Sequence, residues 1–472
     1  MVHRNNDTKR VINAVGTQHD PVSLLADKVQ QVLDSDESPD SNWNVMRVQV
    51  QLSTIDPFEW LNVQKSNKKV YWKGRNELES IAGIGCADEI TSSSTEIDYL
   101  KQFSERFSNA GTSRYFGGIR FNTSEKPSEE WTAFGSHSFF LPRFELVLNE
   151  DATYLVCNLV LPKDRRKKWT ILKELSELKV PPHNVHRNTQ LPLTRLDQPT
   201  ERAWYQIIED VLKRLNLNSS LAKVVIARKV TFRFNEQIDS LGLFKKLTKI
   251  TPKHFHFYFQ FGADSIFMGA SPERLYKRDG RYVESEAIAG TGQRSTNGQD
   301  DSKYANALLS SEKDQREHAF VRDGILESMK SLCTKMQIDP KPTVLNLSMG
   351  RHLKSKFWGV LQDLRSDIDI LKNLHPTSAV GGFPTQEAID TIEEMEPFDR
   401  GWYAGPVGWI GQNSAEFSVA IRSALATQKT ISLFSGAGIV KGSVPQKEWL
   451  EVEQKNCNLI KVLGLDQRSV KY

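Results

Sequence analysis

Residues 219–234 read SSLAKVVIARKVTFRF. The β-branched and aromatic side chains of this run predict a strand, and the alternation of a strand puts Leu221, Lys223 and Val225 on one face. A lysine on an apolar face is costly unless it is paired, neutral or able to reach water. Lys223 is therefore interpreted either as a strand-end lysine that extends to solvent or as a desolvated general base with a lowered pKa.

The segments around this strand mix helices and further strands. Upstream, 180–199 contains four prolines and predicts a boundary, and 204–215 follows with the apolar spacing of a helix. Downstream, 254–261 has the composition of a strand, whereas 301–333 and 446–463 have helical patterns. Because strands and helices do not alternate strictly, the sequence predicts an α+β fold with helices outside the sheets.

Three segments are expected along the chain. Residues 1–43 are largely polar and end in the acidic loop DSDESPDSN, so they are predicted to form a poorly ordered extension. Residues 44–190 alternate short β-like runs with loops and are predicted to be an N-terminal, sheet-rich part of the same fold. Residues 195–470 hold the remaining elements and the candidate functional residues.

Composition narrows the functional class. The chain has 62 basic and 58 acidic residues, a net charge of +4, which does not favour nucleic acid or a membrane surface as a partner. Its four cysteines are scattered without a CxxC pair, which is typical of a reducing compartment. We find neither a signal peptide nor an uncharged apolar run of about 18 residues, and so expect a cytoplasmic protein.

The stretch GASPERLYKRDGRYVESEAIAGTGQRS, residues 269–295, contains several candidate features. Its SPE turn places Glu273 at the start of a strand, and RDGR predicts a two-residue hairpin turn. The AGTG segment offers backbone N–H groups where glycine permits an anionic ligand to approach. Each feature alone is weak, since Glu273 is equally compatible with a surface charge.

Two helical segments carry carboxylates at helical spacing. Asp314 and Glu317 share a face of SEKDQREHAF, and Glu448 and Glu451 share a face of QKEWLEVEQK with Lys455. Either pattern also fits a solvated surface helix. If Glu317 and Glu451 converge from the two helices, oxygen-only ligation would suit Mg²⁺.

Two strand-like runs complete the set of candidates. Arg422 lies inside the apolar run VAIRSAL, which suggests bidentate recognition of a carboxylate. FSGAGIV leads into a glycine turn with free backbone donors. The histidines form no metal-binding pattern, and His254 and His256 alternate with aromatic residues on one predicted strand.

In this order and spacing, nine blocks resemble the chorismate-utilising enzymes, which include isochorismate, salicylate, anthranilate and aminodeoxychorismate synthases. The blocks are LAKVVIAR, GASPERL, EAIAGTGQR, SEKDQREH, LHPTSAVGGFP, EPFDRGWYAGPVGW, AIRSA, FSGAGIV and EWLEVEQK. The resemblance covers about 200–465 strongly and the N-terminal part loosely. It implies one large α/β sandwich of two antiparallel-rich sheets with helices outside, and makes 195–470 the chorismate-binding catalytic region.

The resemblance also separates the members by their nucleophile. Aminodeoxychorismate synthases use a lysine where this chain has Ala289, and anthranilate synthases carry a glutamine where it has Lys223. Members that add water have a lysine there, so the resemblance implies an isochorismate synthase with Lys223 as general base and Glu273 as general acid. Ala379 and Val380 also resemble isochorismate synthases. Salicylate synthase and a non-catalytic chorismate-binding paralogue are the alternatives.

The remaining roles are likewise implied by the resemblance. Mg²⁺ would be held by Glu317 and Glu451, with Asp314 and Glu448 as outer or water-mediated partners. The residues expected at the substrate are Gly290, Thr291, His375, Arg422, Gly438 and Lys455. No glutaminase subunit is expected, because water needs no ammonia channel, and relatives of this kind are often monomers. DPFEWL, KVYWKG and SRYFGGIRF make the N-terminal half similar to the longer, menaquinone-type relatives.

Overall fold

The computed structural model describes residues 11–12, 20–35, 43–75, 77–92, 104–181, 191–217, 220–295, 297–347 and 350–465. Its strands form two sheets. The order across the first sheet is β1 (Val11–Ile12), β2 (Asn44–Leu52), β9 (Thr153–Leu161), β8 (Phe144–Leu148), β4 (Ser80–Ile84), β3 (Lys68–Lys73), β12 (Phe255–Phe261), β13 (Ile266–Ser271), β22 (Ser423–Ala426), β23 (Thr430–Val440), β11 (Lys223–Arg233) and β10 (Thr194–Gln198), with β19 (Gly382–Phe383) also paired to β11.

The second sheet is built in the same antiparallel manner. Its order is β16 (Cys333–Ile338), β18 (Arg351–Leu361), β15 (Tyr282–Gly292), β14 (Arg274–Asp279), β21 (Ser414–Val419), β20 (Pro406–Ile410), β6 (Tyr115–Ile119), β7 (His137–Leu141) and β5 (Asp88–Ser92), with β17 (Thr343–Asn346) paired to β18. Both sheets contain strands from before and after residue 190, as a single folded unit requires.

The α-helices of the described segments are α1 (Pro21–Asp34), α2 (Pro57–Val63), α3 (Ser104–Ser108), α4 (Lys168–Ser176), α5 (Glu201–Leu217), α6 (Ser240–Ile250), α7 (Gly298–Ser310), α8 (Glu312–Leu332), α9 (Asp367–Leu374), α10 (Thr385–Met395) and α11 (Pro445–Val462). None of these helices is long and apolar enough to cross a bilayer.

The apolar side chains form two clusters. One includes Phe257 and Phe434 of the first sheet together with Phe417 and Trp409 of the second, so the two sheets share a core. The other lies on the opposite face of the first sheet, where α1, α2, α4 and α6 contribute buried residues. The predicted sandwich of two antiparallel-rich sheets with helices outside is confirmed.

Several local predictions are confirmed as well. The opening stretch forms β11, the helix predicted at 204–215 lies within α5, and the one predicted at 446–463 is α11. RDGR turns between β14 and β15, with Gly280 at φ +56.

One prediction needs correction. A poorly ordered extension over the whole of 1–43 is wrong, because 21–34 is helix α1, capped by Asp20 and packed through Leu25 and Val29; residues 1–10, 13–19 and 36–42 lie outside the described residues. The boundary predicted at 180–199 stays a prediction: strand β10 lies near the end of this stretch, and 182–190 lie outside the described residues.

Candidate active site

The site lies where the chain crosses from one sheet to the other. β13 belongs to the first sheet and β14 to the second, and Glu273 lies in the crossing between them. A second crossing, between β21 and β22, contains Arg422. The crossings are joined by a hydrogen bond from the N–H of Val419 to the carbonyl of Glu273, at 3.1 Å. Because of this topology, Glu273 and Arg422 face one cavity.

Most residues predicted from the sequence line this cavity. They are Lys223, Glu273, Gly290, Thr291, Glu317, Arg422, Gly438, Glu451 and Lys455. Ala379 and Val380 of the predicted HPTSAVGGFP block line it too. His375, Asp314 and Glu448 are not among its lining residues.

Lys223 begins β11 and is only 1% exposed. The strand is held on both sides, by β23 over its full length and by the short strand β19 at its start. Its ammonium Nζ lies 3.2 Å from Oε1 of Glu317 on α8. The interpretation of Lys223 as a strand-end lysine that extends to solvent is therefore wrong. The surroundings of Lys223, which were expected to be apolar, also contain a carboxylate counter-ion.

Glu273 is 3% exposed, and its backbone is held by two hydrogen bonds to serine side chains. Its N–H donates to Oγ of Ser271 at 3.2 Å, and its carbonyl accepts from Oγ of Ser418 at 2.9 Å. Burial, followed by repulsion from Glu286, raises the pKa of Glu273 to about 8, while Lys223 acts in the opposite direction. A carboxyl in this state is protonated at neutral pH and can donate a proton.

Three carboxylates from two helices surround one lysine. Lys313 of α8 lies 3.3 Å from Glu448 of α11. Burial acts to lower the pKa of Lys313, but the attraction of Glu448, with Glu451 and Glu317 behind it, raises it above its usual value. Burial and then repulsion from Glu451 raise the pKa of Glu448. The two helical faces predicted from spacing thus do converge.

These carboxylates have the chemistry of a site for a hard divalent cation. Among the described residues, no three His, Cys, Asp or Glu side chains already stand in a metal-binding arrangement. Glu317 and Glu451 nevertheless both present oxygen donors to the cavity, and the concentration of like charge around Lys313 favours a cation. Mg²⁺ suits such a donor set because it keeps several waters and needs only one or two carboxylates.

The opposite charge is supplied by Arg422 and Lys455. Arg422 adopts the left-handed backbone conformation, φ +54, which non-glycine residues rarely take, and its Nη1 donates to the carbonyl of Lys455 at 2.5 Å. Lys455 Nζ lies 2.6 Å from Glu451 and donates to the carbonyl of Gly436 at 2.7 Å. Two partly buried cationic groups on one cavity suit a ligand with two carboxylates.

Two glycines leave the space that the charged groups need. At Gly438, an added Cβ would lie 2.8 Å from Glu317 Oε1 and 2.8 Å from Lys223 Cε. Gly290 has φ +73, and a Cβ there would lie 3.1 Å from the Cβ of Asp314, so Asp314 packs behind the glycine turn.

His375 does not line the cavity, although the sequence predicted it near the substrate. Its Nε2 donates to the carbonyl of Phe121 at 2.9 Å, and burial lowers its pKa to about 4. The ring packs edge-on against Phe121. His375 therefore anchors the segment that brings Ala379 and Val380 to the cavity.

Several lining residues were not predicted as site residues, although all of them except His352 lie in the quoted blocks. They are Val225, Pro272, Ile288, His352, Tyr403, Ile421, Ser435 and Gly436. His352 donates from Nδ1 to the carbonyl of Gly290 at 2.9 Å, and burial lowers its pKa to about 4. His352 lies at the start of β18, so its place in the site could have been predicted only if 351–361 had been recognised as a strand.

Comparison with known proteins gives a consistent result. A family model described as "Chorismate binding enzyme" matches residues 28–464. The isochorismate synthase MenF of Bacillus subtilis is 30% identical over 442 residues, which are 89% of this chain and 93% of that protein. The chloroplastic isochorismate synthase of Catharanthus roseus is 33% identical over 410 residues, 84% of this chain and 70% of that protein.

Among solved structures, the chain is similar to MenF, the menaquinone-specific isochorismate synthase from Escherichia coli. The TM-score is 0.82 at 26% identity, and the match covers 94% of this chain and all of the other.

Proposed function

Because the chain belongs to the family of chorismate-binding enzymes, we propose that it is an isochorismate synthase. It adds water to C2 of chorismate and expels the 4-hydroxyl group as the ring double bonds shift. The observation that carries this proposal is the pairing, on one cavity, of a buried lysine with a buried carboxyl whose pKa is about 8. These are the base and the acid that such an addition and elimination need.

The proton transfers balance within the site. Lys223 takes a proton from water as the oxygen bonds to C2, and Glu273 gives its proton to the departing hydroxyl, which leaves as water. Substrate and product are isomers, and exchange with solvent restores both groups. Each proton transfer supplies roughly 10²–10⁴-fold of rate.

The charged residues orient the substrate. Arg422, together with backbone donors near Gly438, holds the enolpyruvyl carboxylate, and Lys455, Gly290 and Thr291 lie toward the ring carboxylate. Bound at Glu317 and Glu451, Mg²⁺ would supply positive charge for the ring carboxylate. Asp314 and Glu448 remain candidates for outer partners of the ion.

The place of the reaction in metabolism is part of the same proposal. The similarity to the menaquinone-specific enzyme extends over 94% of the chain, which supports a quinone-forming role. The cysteines of the described segments are free thiols, which supports a reducing compartment such as the cytoplasm. We expect a monomer without a glutaminase subunit, since water is the nucleophile.

The test is turnover of purified protein on chorismate, with and without Mg²⁺, with products identified by NMR. We expect Mg²⁺-dependent formation of isochorismate, and loss of turnover with chorismate binding largely kept in Lys223→Ala. Lys229→Ala is the matched control, because Lys229 lies on the same strand but is paired with Glu130. Salicylate and pyruvate in equal yield would identify a salicylate synthase instead. Chorismate binding without any product would identify a non-catalytic paralogue, and a fully active Lys223→Ala would refute the base.

A further inference from the structure

A buried ion pair lies directly behind Glu273. Arg75, in the turn that follows β3, and Glu286, on β15, are 5% and 3% exposed. Nη2 of Arg75 is 2.6 Å from the Glu286 carboxylate, and Lys354 Nζ is 3.3 Å from it. Burial acts to raise the pKa of Glu286, but the attraction of Arg75 and then of Lys354 outweighs it and lowers the pKa, so the carboxylate is ionised.

The pair binds the main chain on both sides of Glu273. Nη1 of Arg75 donates to the carbonyl of Pro272, and Glu286 Oε1 accepts from the N–H of Arg274 at 3.0 Å. One residue before the acid and one residue after it are therefore held by the two partners of a single ion pair. Glu273 itself is the residue between them, in the crossing from β13 to β14.

We propose that the Arg75–Glu286 ion pair is the device that positions Glu273 as the acid. This inference rests on the proposed function, in which Glu273 protonates the leaving hydroxyl. It assigns a task in the reaction to a residue of the N-terminal half, because Arg75 belongs to the segment that adds β3 and β4 to the first sheet. Arg75 and Glu286 are positioning residues, since both act through Glu273.

The pair also determines the charge that the acid experiences. After burial, Glu286 is the strongest influence that raises the pKa of Glu273, and Lys223, Arg75 and Lys455 oppose it. The other charged or titratable groups that line the cavity are Glu317, His352, Tyr403, Arg422 and Glu451. Replacing Glu286 by glutamine removes a negative charge and leaves the positive charges of Arg75 and Lys354 uncompensated. Both changes favour the ionised form of Glu273, so the acid should lose its proton at a lower pH.

The first experiment is the pH dependence of kcat in Glu286→Gln, in which the amide oxygen still accepts from the N–H of Arg274. We expect the alkaline limb, along which activity falls as Glu273 ionises, to move to lower pH by about one unit. We also expect kcat to drop by about 10²-fold with KM changed less than threefold, because the acid acts on the leaving group and not on binding. An unmoved alkaline limb with unchanged kcat would overturn the inference.

The second experiment separates positioning from general loss of structure. Arg75→Gln combined with Glu286→Gln removes both charges at once and avoids leaving one of the pair unpaired. The double variant is made both in the wild-type protein and in a protein that carries Glu273→Gln. If the pair acts through the acid, the double variant should lower kcat in the wild-type background and hardly change the residual kcat when Glu273 is absent. Equal losses in both backgrounds would show a structural role and overturn the proposal.

The controls keep this inference distinct from the proposed function. Arg143→Gln breaks another buried ion pair, with Asp164, in the N-terminal half, and should leave the alkaline limb unchanged. If wild-type protein forms no isochorismate, the proposed function has failed. If wild type is active and Glu286→Gln behaves like Arg143→Gln, only the positioning role has failed.

Discussion

Replacing Gly438 by alanine tests the geometry of the site with a single methyl group. Gly438 lies on β23 opposite Val225 of β11, and its backbone conformation is one that alanine adopts without strain. The added Cβ would stand 2.8 Å from Oε1 of Glu317 and 2.8 Å from Cε of Lys223, where ordinary contact begins at 3.4 Å. The perturbation therefore acts directly on the proposed base and on a proposed metal ligand.

The size of the effect follows from these distances. Each neighbour must move by about 0.6 Å, the difference between 2.8 and 3.4 Å. Lys223 is 3.2 Å from Glu317, so moving either side chain disturbs their ion pair. Because a misplacement of about 1 Å can cost about 10²-fold in rate, we expect kcat/KM to fall by about 10²-fold, or about 2.7 kcal/mol of transition-state stabilisation. Overpacking should lower the free energy of unfolding by only about 1–3 kcal/mol.

The assay is the steady-state rate of isochorismate formation, measured together with thermal unfolding. Gly298→Ala is the control, because a Cβ at that position on α7 meets no atom within 4 Å. If folded Gly438→Ala keeps kcat/KM within twofold of wild type, the reaction does not depend on the positions that Lys223 and Glu317 have in their ion pair. That result would refute the prediction.

Two further predictions concern charge. In Glu273→Gln, thermal stability should depend less on pH than in wild type. The pKa of Glu273 is about 8 in the folded state and about 4.3 in the unfolded state. Wild type therefore loses stability as the pH rises between these values, and the variant does not. The unfolding temperature of the variant, relative to wild type, should be higher at pH 8.5 than at pH 5. An equal difference at the two pH values would contradict the raised pKa of Glu273. In Lys313→Met, removal of the ammonium near Glu448 and Glu451 should tighten Mg²⁺ binding about tenfold, measured by calorimetric titration without substrate. Lys303→Met, on the exposed face of α7, is the control, and unchanged affinity in Lys313→Met would show that Lys313 does not compete with the ion.

The sequence predicted those parts of the fold that have a strong local pattern. β11 was found because it is rich in β-branched and aromatic residues, and α11 because its apolar residues follow the period of a helix. β18 was missed because Lys354 and Lys356 interrupt its apolar residues and hide the alternation. The helix α1 was missed although its apolar spacing was present, because polar segments on both sides suggested disorder for the whole region.

The candidate site was predicted as a set of residues but not as a set of contacts. Lys223 and Glu317 are 94 positions apart, and no local rule couples them into an ion pair. His375 was expected at the substrate, and its partner, the carbonyl of Phe121, is 254 positions away. Arg75 gave no signal in the sequence, since it contacts the β13–β14 crossing from the turn that follows β3.

Two carboxyl groups that line the cavity together with Lys223 have different surroundings. Glu317 is 20% exposed in its side chain and is paired with Lys223, whereas Glu273 is buried next to the charge of Glu286 and has a pKa of about 8. In the proposed reaction one carboxyl group donates a proton and the other binds a cation, so the two need different surroundings. Burial and the charge of Glu286, which lies outside the cavity, raise the pKa of Glu273, so the proposed acid depends on a residue behind the site as well as on those that line it.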